Sequence, residues 1–279
     1  MARGSSAAEQ RVVPLRTGAS IPRVGLGVFQ AARGKVTRAA VRNALGLGYR
    51  HVDTASVYGN EADVAEAVRE SGLPRGEVFV TTKLWNGDQG YDAALRGFSA
   101  SLERMAFDYV DLFLLHWPVP GKRLESWRAL ETLYDEGQAR AIGVSNFMTN
   151  HLEELLGHAR VSPAVNQIEV SPFLQQREVR ELCGRHGIVV EAYSPLTKGE
   201  RLQHPVVTEV AGAVGRTPAQ VLLRWGLQSG MVVLPKTTHP ERQAENLALF
   251  DLVLSAEQMA RLDGLEEGLV TGWDPRGQP

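Results

Sequence analysis

The stretch that decides the fold is Tyr109-Val-Asp-Leu-Phe-Leu-Leu-His-Trp-Pro118. Its first part, Tyr109–Leu115, is strand-like and has almost no alternation of apolar and polar residues, which is typical of a strand covered on both faces. A helix-period run over Leu124–Glu136 follows it and ends at Gly137. A buried strand followed by a helix indicates one unit of a parallel sheet.

The same unit recurs on both sides of this stretch. Further strands are predicted at Val24–Val28, Tyr49–Asp53, Val78–Thr82, Ala141–Val144, Ala164–Ile168, Ile188–Ala192 and Met231–Leu234. Further helices are predicted at Lys35–Leu47, Glu61–Glu70, Tyr91–Glu103, Thr149–Leu156, Gln176–Cys183, Pro205–Val214, Pro218–Gln228, Pro240–Ala248 and Ala256–Leu262. Eight strands, each followed by at least one helix, predict an α/β protein with a (β/α)8 TIM barrel, a short N-terminal β-hairpin within Val12–Ile21 and extra C-terminal helices.

The main alternative is an open, doubly wound sheet, which predicts a glycine-rich fingerprint after the first strand. The only candidate, Gly25-Leu-Gly-Val-Phe-Gln30, lacks the third glycine, which argues against that fold. No composition break or long linker is visible, so residues 11–273 are predicted to form a single domain, with 1–10 and 274–279 as flexible termini.

Composition excludes several classes of protein. The formal net charge is −2 and no block of Lys and Arg occurs, which argues against a nucleic-acid partner. No stretch approaches the roughly 20 apolar residues of a membrane span, and the first ten residues do not resemble a signal peptide. The single cysteine, Cys183, excludes an internal disulfide and suits a reducing cytoplasm.

Polar or ionisable residues follow seven consecutive predicted strands, the edge at which barrel enzymes build their active sites. They are Asp53, Lys83, His116, Ser145 with Asn146, Gln167 with Glu169, Tyr193 with Ser194, and Lys236. A single such residue is usually a solvated loop residue, and Glu169 remains open to that interpretation. Repetition over seven strands indicates a functional rim.

Four residues near this rim make chemical sense together: Asp53, Tyr58, Lys83 and His116. A phenol with a pKa of about 10 is a poor acid unless a nearby cation stabilises its phenolate. Lys83 would supply that cation, Asp53 would orient it, and His116 would donate a hydrogen bond to a substrate oxygen. The set predicts a proton donor aimed at a carbonyl that gains negative charge during reduction.

Reduction also needs a hydride, which only a cofactor can supply. Tyr193 could stack on a nicotinamide while Ser145, Asn146 and Gln167 bind its amide. Lys236, Thr237, Thr238 and Arg242 stand before and within the helix that starts at Pro240 and form a candidate anion site, although a capped surface helix with solvated charges explains that segment equally well. Two cations suit a 2′-phosphate and favour NADPH over NADH. The histidines show no metal-binding spacing.

The chain resembles the aldo-keto reductase superfamily from about Val12 to Trp273. The motifs that carry the resemblance are Gly48-Tyr-Arg-His-Val-Asp-Thr-Ala-Ser-Val-Tyr-Gly-Asn-Glu61, Thr82-Lys-Leu-Trp85, Leu114-Leu-His-Trp-Pro118, Gly143-Val-Ser-Asn-Phe147, Val165-Asn-Gln-Ile-Glu169, Tyr193-Ser-Pro-Leu196 and Leu234-Pro-Lys-Thr237. The pattern is most similar to bacterial 2,5-diketo-gluconate reductase-like and prostaglandin F synthase-like members.

This resemblance implies a cytoplasmic, NADPH-dependent oxidoreductase that reduces a small carbonyl substrate, and a monomer. It implies the tetrad Asp53, Tyr58, Lys83 and His116. Implied cofactor contacts are Ser145, Asn146, Gln167, Tyr193, Ser194, Leu196, Lys236, Thr237, Thr238, Arg242, Glu245 and Asn246. The implied substrate pocket contains Phe29, Trp85 and Trp117.

Two departures from the family's pattern are Ser171-Pro172, where many relatives have His-Pro, and His239 in the phosphate-binding stretch. The chain after Glu267 is short, which predicts an open pocket with weak specificity. Two other functions stay open at this point: an NADPH-binding redox sensor with little turnover, and a lyase or isomerase that uses Lys83 as a Schiff base.

Overall fold

Residues 11–277 are described in a computed structural model of the chain. The predicted flexible segment 1–10 and the last two residues lie outside this range. Residues 274–277 lie inside it and contain a 3₁₀ turn, Pro275–Gly277.

A parallel sheet forms the centre of the molecule. Its strands are β3 Leu26–Gly27, β4 His51–Asp53, β5 Phe79–Leu84, β6 Leu112–Leu115, β7 Ile142–Ser145, β8 Val165–Glu169, β9 Val189–Tyr193 and β10 Val232–Leu234. Each strand pairs with the next in chain order, and all the pairs are parallel. The first and last strands also meet, since Gly25 N donates to Val233 O at 3.0 Å and Gly27 N donates to Pro235 O at 3.1 Å. The sheet therefore closes into the predicted barrel.

An antiparallel hairpin covers the N-terminal end of the barrel, as predicted. It consists of β1 Val12–Pro14 and β2 Ser20–Pro22. Its apolar residues Leu15 and Ile21 are buried in one cluster with residues from the starts of the strands, such as Phe79, Leu112 and Val165. Burial of this apolar surface closes the N-terminal end of the barrel, so only the C-terminal end is open to ligands.

Helices surround the sheet. They are α1 Lys35–Leu47, α2 Glu61–Glu70, α3 Tyr91–Met105, α4 Arg123–Asp135, α5 Thr149–Leu156, α6 Arg177–Arg185, α7 Pro205–Val214, α8 Pro218–Gln228, α9 Pro240–Leu247 and α10 Ala256–Asp263. Their apolar faces pack on the outside of the strands in the main buried cluster. The second helix between β9 and β10 and the final helix α10 confirm the predicted additions to the barrel. No helix within residues 11–277 is long and apolar enough to span a membrane.

Several predicted strands are shorter or longer than the sequence indicated. The fourth was predicted to start at Tyr109 but starts at Leu112, because the Asp111 carboxylate accepts a hydrogen bond from Val80 N at 3.0 Å and pairs with Arg75 at 2.7 Å. The third was predicted to end at Thr82 but continues to Leu84. Lys83 therefore lies within a strand and points into the barrel instead of leaving from its end.

Two glycines allow close approach between strands. A Cβ at Gly25 would lie 2.5 Å from Leu234 Cδ2 and 2.7 Å from His51 Nδ1, and a Cβ at Gly143 would lie 2.5 Å from the Val165 carbonyl oxygen. Real Cβ atoms do not approach other atoms so closely. The narrow barrel interior therefore depends on the absence of a side chain at both positions.

Candidate active site

Lys83 lies at the centre of the upper barrel and is fully buried. Its Nζ donates to Asp53 Oδ1 at 2.6 Å, to Thr54 O at 2.9 Å and to the Tyr58 hydroxyl at 3.4 Å. Burial acts to lower the pKa of the Lys83 ammonium, but the nearby Asp53 and Tyr58 oxygens outweigh it and hold that pKa above its ordinary value. The structure thus places a protonated lysine beside the phenol, as the sequence indicated.

Tyr58 ends a 3₁₀ turn, Ser56–Tyr58, which follows β4. The Ser56 hydroxyl ties this turn to Lys83 O at 3.0 Å, and Gly59 leaves it in a left-handed conformation with φ 67°. The next residue, Asn60, is held by two side-chain hydrogen bonds: its Oδ1 accepts from the Thr54 hydroxyl at 2.7 Å, and its Nδ2 donates to Val28 O at 3.0 Å. This loop holds the phenol over the strand ends.

The sequence predicted that Lys83 lowers the pKa of Tyr58 below that of an ordinary phenol, and the structure shows the opposite net shift. Burial raises the pKa of Tyr58, and the charge of Lys83, which acts to lower it, does not compensate fully. Desolvation destabilises the phenolate of this half-buried residue more than the Lys83 ammonium, 3.4 Å from the hydroxyl, stabilises it. Tyr58 consequently keeps its proton at neutral pH, which is the state that a proton donor requires.

His116 is buried directly after β6, and its backbone N donates to Leu84 O at 3.1 Å. Its ring packs edge-on against Tyr58, with 5.7 Å between ring centroids, and against Trp85 at 5.3 Å. Burial and then the charge of Lys83 lower the pKa of His116 well below its ordinary value, so the imidazole is neutral. Its Nδ1 has no hydrogen-bond partner in the described part of the chain.

The ends of β7 and β9 bring three of the predicted cofactor residues into one hydrogen-bonded group. The Tyr193 hydroxyl donates to Asn146 Oδ1 at 2.8 Å, and Asn146 Nδ2 donates to the Ser145 hydroxyl at 3.1 Å. Asn146 and Ser194 both have left-handed backbones, with φ 63° and 48°. Leu196 follows and is half-buried. Non-glycine residues in this conformation are uncommon and often belong to functional sites.

Gln167, also a predicted cofactor residue, faces the centre of the barrel. Its Nε2 donates to Asp53 Oδ2 at 2.8 Å and to Glu191 Oε2 at 2.6 Å. Two carboxylate neighbours fix the orientation of the amide, because only the NH2 group can donate to them. Gln167 therefore connects the candidate cofactor rim with the Asp53–Lys83 pair.

The candidate anion site lies around the first turn of α9. Lys236 and Arg242 are exposed, and neither makes an ion pair with another residue of the range 11–277. Thr238 is half-buried, and the buried Thr237 hydroxyl accepts from His239 N at 3.1 Å.

The last two predicted cofactor contacts lie further along α9. Asn246 is buried, while the Glu245 carboxylate accepts a hydrogen bond from the hydroxyl of Thr217 at the start of α8. Glu245 is thus bound to a structural partner as well as standing near the predicted site.

Two of the three predicted pocket aromatics contact Tyr58 or His116, and the third contacts a further aromatic ring. Phe29 lies 5.0 Å from the Tyr58 ring and is half-exposed, while Trp85 contacts His116. Trp117 meets Trp273, with 5.8 Å between ring centroids. The expectation of an open pocket stays a prediction, although the segment after α10 does reach Trp117 through the exposed ring of Trp273.

Glu169 explains how that segment is held. It is buried, so the solvated-loop interpretation is wrong, and it accepts hydrogen bonds from Thr271 N at 2.9 Å and Gly272 N at 3.3 Å. The backbone of Leu269 also donates to Phe173 O at 3.0 Å. These contacts join residues about a hundred positions apart, so no local pattern could have predicted that Trp273 reaches the site.

The sequence analysis did not single out Glu191 and His51. Both are fully buried in the barrel, below Asp53 and Lys83. Burial and then the charge of Asp53 raise the pKa of Glu191 to about 8. Burial lowers the pKa of His51 to about 4. Strand alternation carried the signal, since His51 precedes Asp53 by two positions and Glu191 precedes Tyr193 by two, which puts each pair on one face. Among residues 11–277, no group of three or more His, Cys, Asp or Glu side chains is arranged to hold a metal ion.

Comparison with known proteins gives a consistent result. The family model described as the Aldo/keto reductase family matches residues 23–267. An aldo-keto reductase of a Mycobacterium species is 49% identical over 95% of this chain and 96% of its own length. The glyoxal reductase of Bacillus subtilis is 46% identical over 94% of this chain and 95% of its own.

Solved structures agree with the sequence relatives. The crystal structure of a Gox0644 mutant in complex with NADPH superposes with a TM-score of 0.91 and 40% identity, covering 97% of this chain and 99% of that one. Such agreement over nearly the whole length covers every strand that contributes to the site. The chain with its buried Asp53–Lys83 pair therefore belongs to the aldo/keto reductase family and is an oxidoreductase.

Proposed function

We propose that the protein uses NADPH to reduce small aldehydes and ketones to alcohols, with Tyr58 as the proton donor. The observation that carries this proposal is the position of the Lys83 ammonium, which lies 3.4 Å from the Tyr58 hydroxyl and 2.6 Å from Asp53. A protonated phenol that is hydrogen-bonded to a buried cation can release its proton to a carbonyl oxygen that is gaining charge.

The residues at the strand ends suit a nicotinamide cofactor. Asn146 and Tyr193 form a fixed polar edge, and the orientation of Gln167 directs its amide oxygen away from the two carboxylates. Lys236 and Arg242 are exposed cations without an ion-pair partner in the described range, and they stand just before and within the first turn of α9. Two such cations favour the extra phosphate of NADPH over NADH. Similarity to the Gox0644 mutant in complex with NADPH supports the same choice.

NADPH would supply the hydride that reduces the carbonyl carbon. Tyr58 donates its hydroxyl proton to the carbonyl oxygen, and Lys83 stabilises the phenolate that remains. Asp53 keeps Lys83 protonated and oriented through the 2.6 Å ion pair. The neutral imidazole of His116 donates a hydrogen bond to the same oxygen, because a neutral ring still carries one N–H.

Lys83 is poorly suited to the alternative chemistry of a Schiff base. That reaction needs a neutral amine with a free lone pair, whereas the Lys83 ammonium is charged and donates to three oxygens. The geometry therefore favours Lys83 as an electrostatic partner of Tyr58 over Lys83 as a nucleophile.

The substrate that we propose is a small aldehyde, keto ester or keto sugar. Phe29, Trp85, Trp117 and Trp273 would line the pocket and select for compact, partly apolar molecules. The glyoxal reductase relative supports testing small dicarbonyls first. A monomer located in the cytoplasm is part of the same proposal, which size-exclusion chromatography and cell fractionation test.

The test is the decay of NADPH absorbance with a panel of small aldehydes, ketones and dicarbonyls, using wild type and Tyr58→Phe. We expect turnover by wild type and a fall in kcat/KM of about 10²–10⁴-fold in the variant, the usual contribution of a general acid. Glu131→Gln is a matched control, since this buried glutamate on α4 accepts hydrogen bonds from the backbone of Arg160 and Val161 and has no part in the proposed site. If Tyr58→Phe keeps most of the rate, the donor is wrong. If NADPH quenches tryptophan fluorescence but no carbonyl is reduced, the sensor function replaces the enzyme.

A further inference from the structure

A buried hydrogen-bonded chain continues below the proposed tetrad and crosses the barrel. It leads from Asp53 through Gln167 to Glu191, and from Glu191 towards His51. Glu191 and His51 have no exposed surface. None of the chemistry proposed above uses these two residues, although both face the barrel interior.

The tautomer of His51 follows from its neighbours. His51 Nδ1 lies 3.3 Å from Pro22 O, a carbonyl oxygen that can only accept a hydrogen bond. Nδ1 therefore carries the proton of the neutral ring, and Nε2 has a lone pair. Nε2 lies 3.2 Å from the Thr81 hydroxyl and 3.4 Å from Glu191 Oε1.

Glu191 Oε1 is buried and has no hydrogen-bond partner among residues 11–277. An ionised oxygen would face the lone pair of His51 Nε2 in a dry interior, which is unfavourable for both groups. A proton on Oε1 converts the 3.4 Å contact into an O–H···N hydrogen bond. The other oxygen, Oε2, continues to accept from Gln167 at 2.6 Å.

We propose that Glu191 and His51 hold one proton between them, and that this neutral pair positions Gln167 and keeps Asp53 paired with Lys83. The proposal deepens the proposed reductase function and rests on it for its kinetic consequence. Glu191 is thus a positioning residue, since it acts through Gln167 and touches neither substrate nor cofactor.

The ionisable groups that face Glu191 from the neighbouring strands are His51 and Asp53 on β4 and Lys83 on β5, with Tyr58 above them. Loss of the shared proton adds a second negative charge beside Asp53, with only Lys83 to balance both. Glu191 in its charged form also acts to raise the pKa of Tyr58, which weakens the proton donor. The proposed reaction should therefore slow as pH rises through the titration of Glu191.

The variant that tests this is Glu191→Gln, because an amide imitates the protonated carboxyl: its oxygen accepts from Gln167 and its NH2 donates to His51. We expect kcat/KM at pH 7 within about twofold of wild type, and a fall of at least about fivefold in wild type between pH 7 and pH 9 that the variant lacks. Tyr58 does not itself titrate in that range, since burial raises its pKa. A purely structural role would not remove a limb of the pH profile.

A second measurement does not depend on turnover. Infrared difference spectra of protein labelled with ¹³C-glutamate should show the stretch of a protonated glutamic acid in wild type at pH 7, its loss near pH 9, and its absence in Glu191→Gln. The label separates Glu191 from Asp111, whose pKa burial also raises. Fluorescence titration with NADPH across the same pH range gives the binding constant of each protein.

The outcomes are distinct. A glutamic-acid band without any carbonyl turnover keeps the proton pair and removes the reductase function. Turnover with no such band at pH 7, or with the same pH profile in Glu191→Gln and wild type, overturns the pair and leaves the reductase standing. If Glu191→Gln does not fold, the infrared titration of wild type alone decides.

Discussion

Replacement of Lys83 by methionine gives the sharpest test of the buried ion pair. The methionine side chain fills most of the same volume but leaves the Asp53 carboxylate buried, with Gln167 Nε2 at 2.8 Å as its hydrogen-bond donor. Loss of one partner of a buried pair costs about 3–5 kcal/mol, because the other charge stays uncompensated. We expect the free energy of unfolding of Lys83→Met to fall by that amount at pH 7.

The double variant Asp53→Asn/Lys83→Met removes both charges and restores a neutral interior. It should recover at least about 2 kcal/mol relative to Lys83→Met, since buried pairs replaced as a unit are often neutral in stability. Activity should behave differently, because Tyr58 loses its cation in both proteins. We expect kcat/KM to stay at least about 10²-fold below wild type in both.

Urea unfolding, followed by circular dichroism and by tryptophan fluorescence, measures the free energy of unfolding of each protein. Coincident transitions justify a two-state treatment. The rate of NADPH oxidation gives kcat/KM. A double variant no more stable than Lys83→Met, or a stable Lys83→Met protein, would refute the claim that the two charges compensate each other. Recovery of activity along with stability would refute the role of Lys83 towards Tyr58.

Four further predictions concern stability, the C-terminal segment and the cofactor. Gly143→Ala should lower the free energy of unfolding by about 1–3 kcal/mol, because the new Cβ would lie 2.5 Å from Val165 O. Glu169→Gln should raise amide exchange in the segment that it holds by at least about tenfold, and unchanged exchange would show that the carboxylate is dispensable. Arg242→Ala should weaken NADPH binding about tenfold and leave NADH binding unchanged in fluorescence titrations. The raised pKa of Glu191, about 8, means that the folded state keeps a proton which the unfolded state loses above about pH 4.3. Stability measured by chemical unfolding should therefore fall as pH rises from that value to about 8, with a shallower slope in Glu191→Gln.

The sequence was sufficient for the barrel because its signals are local. Each buried strand is a short apolar run, and a glycine or proline marks many of the boundaries with the helices. The position of Asp53 and His116 at one edge of the barrel was also predictable, since both stand at strand ends, where barrel enzymes place functional groups.

The remaining parts of the site depend on contacts that no local pattern contains. Glu191 lies inside an apolar strand, and only alternation with Tyr193 indicates that it faces inward. The balance between burial and Lys83 that sets the pKa of Tyr58 requires the depth of the phenol, which the sequence does not give. Trp273 reaches Trp117 because Glu169 binds the backbone before it, and that contact exists only in three dimensions.

The position of Trp273 has a practical consequence for handling the protein. Trp273 follows every strand of the sheet along the chain, so the barrel can pair its strands before this ring reaches Trp117. A label attached next to Trp273 would lie beside Trp117 and compete for space near the candidate site. The hairpin that begins at Val12 lies at the opposite end of the barrel, so labels and immobilisation linkers are better attached on that side.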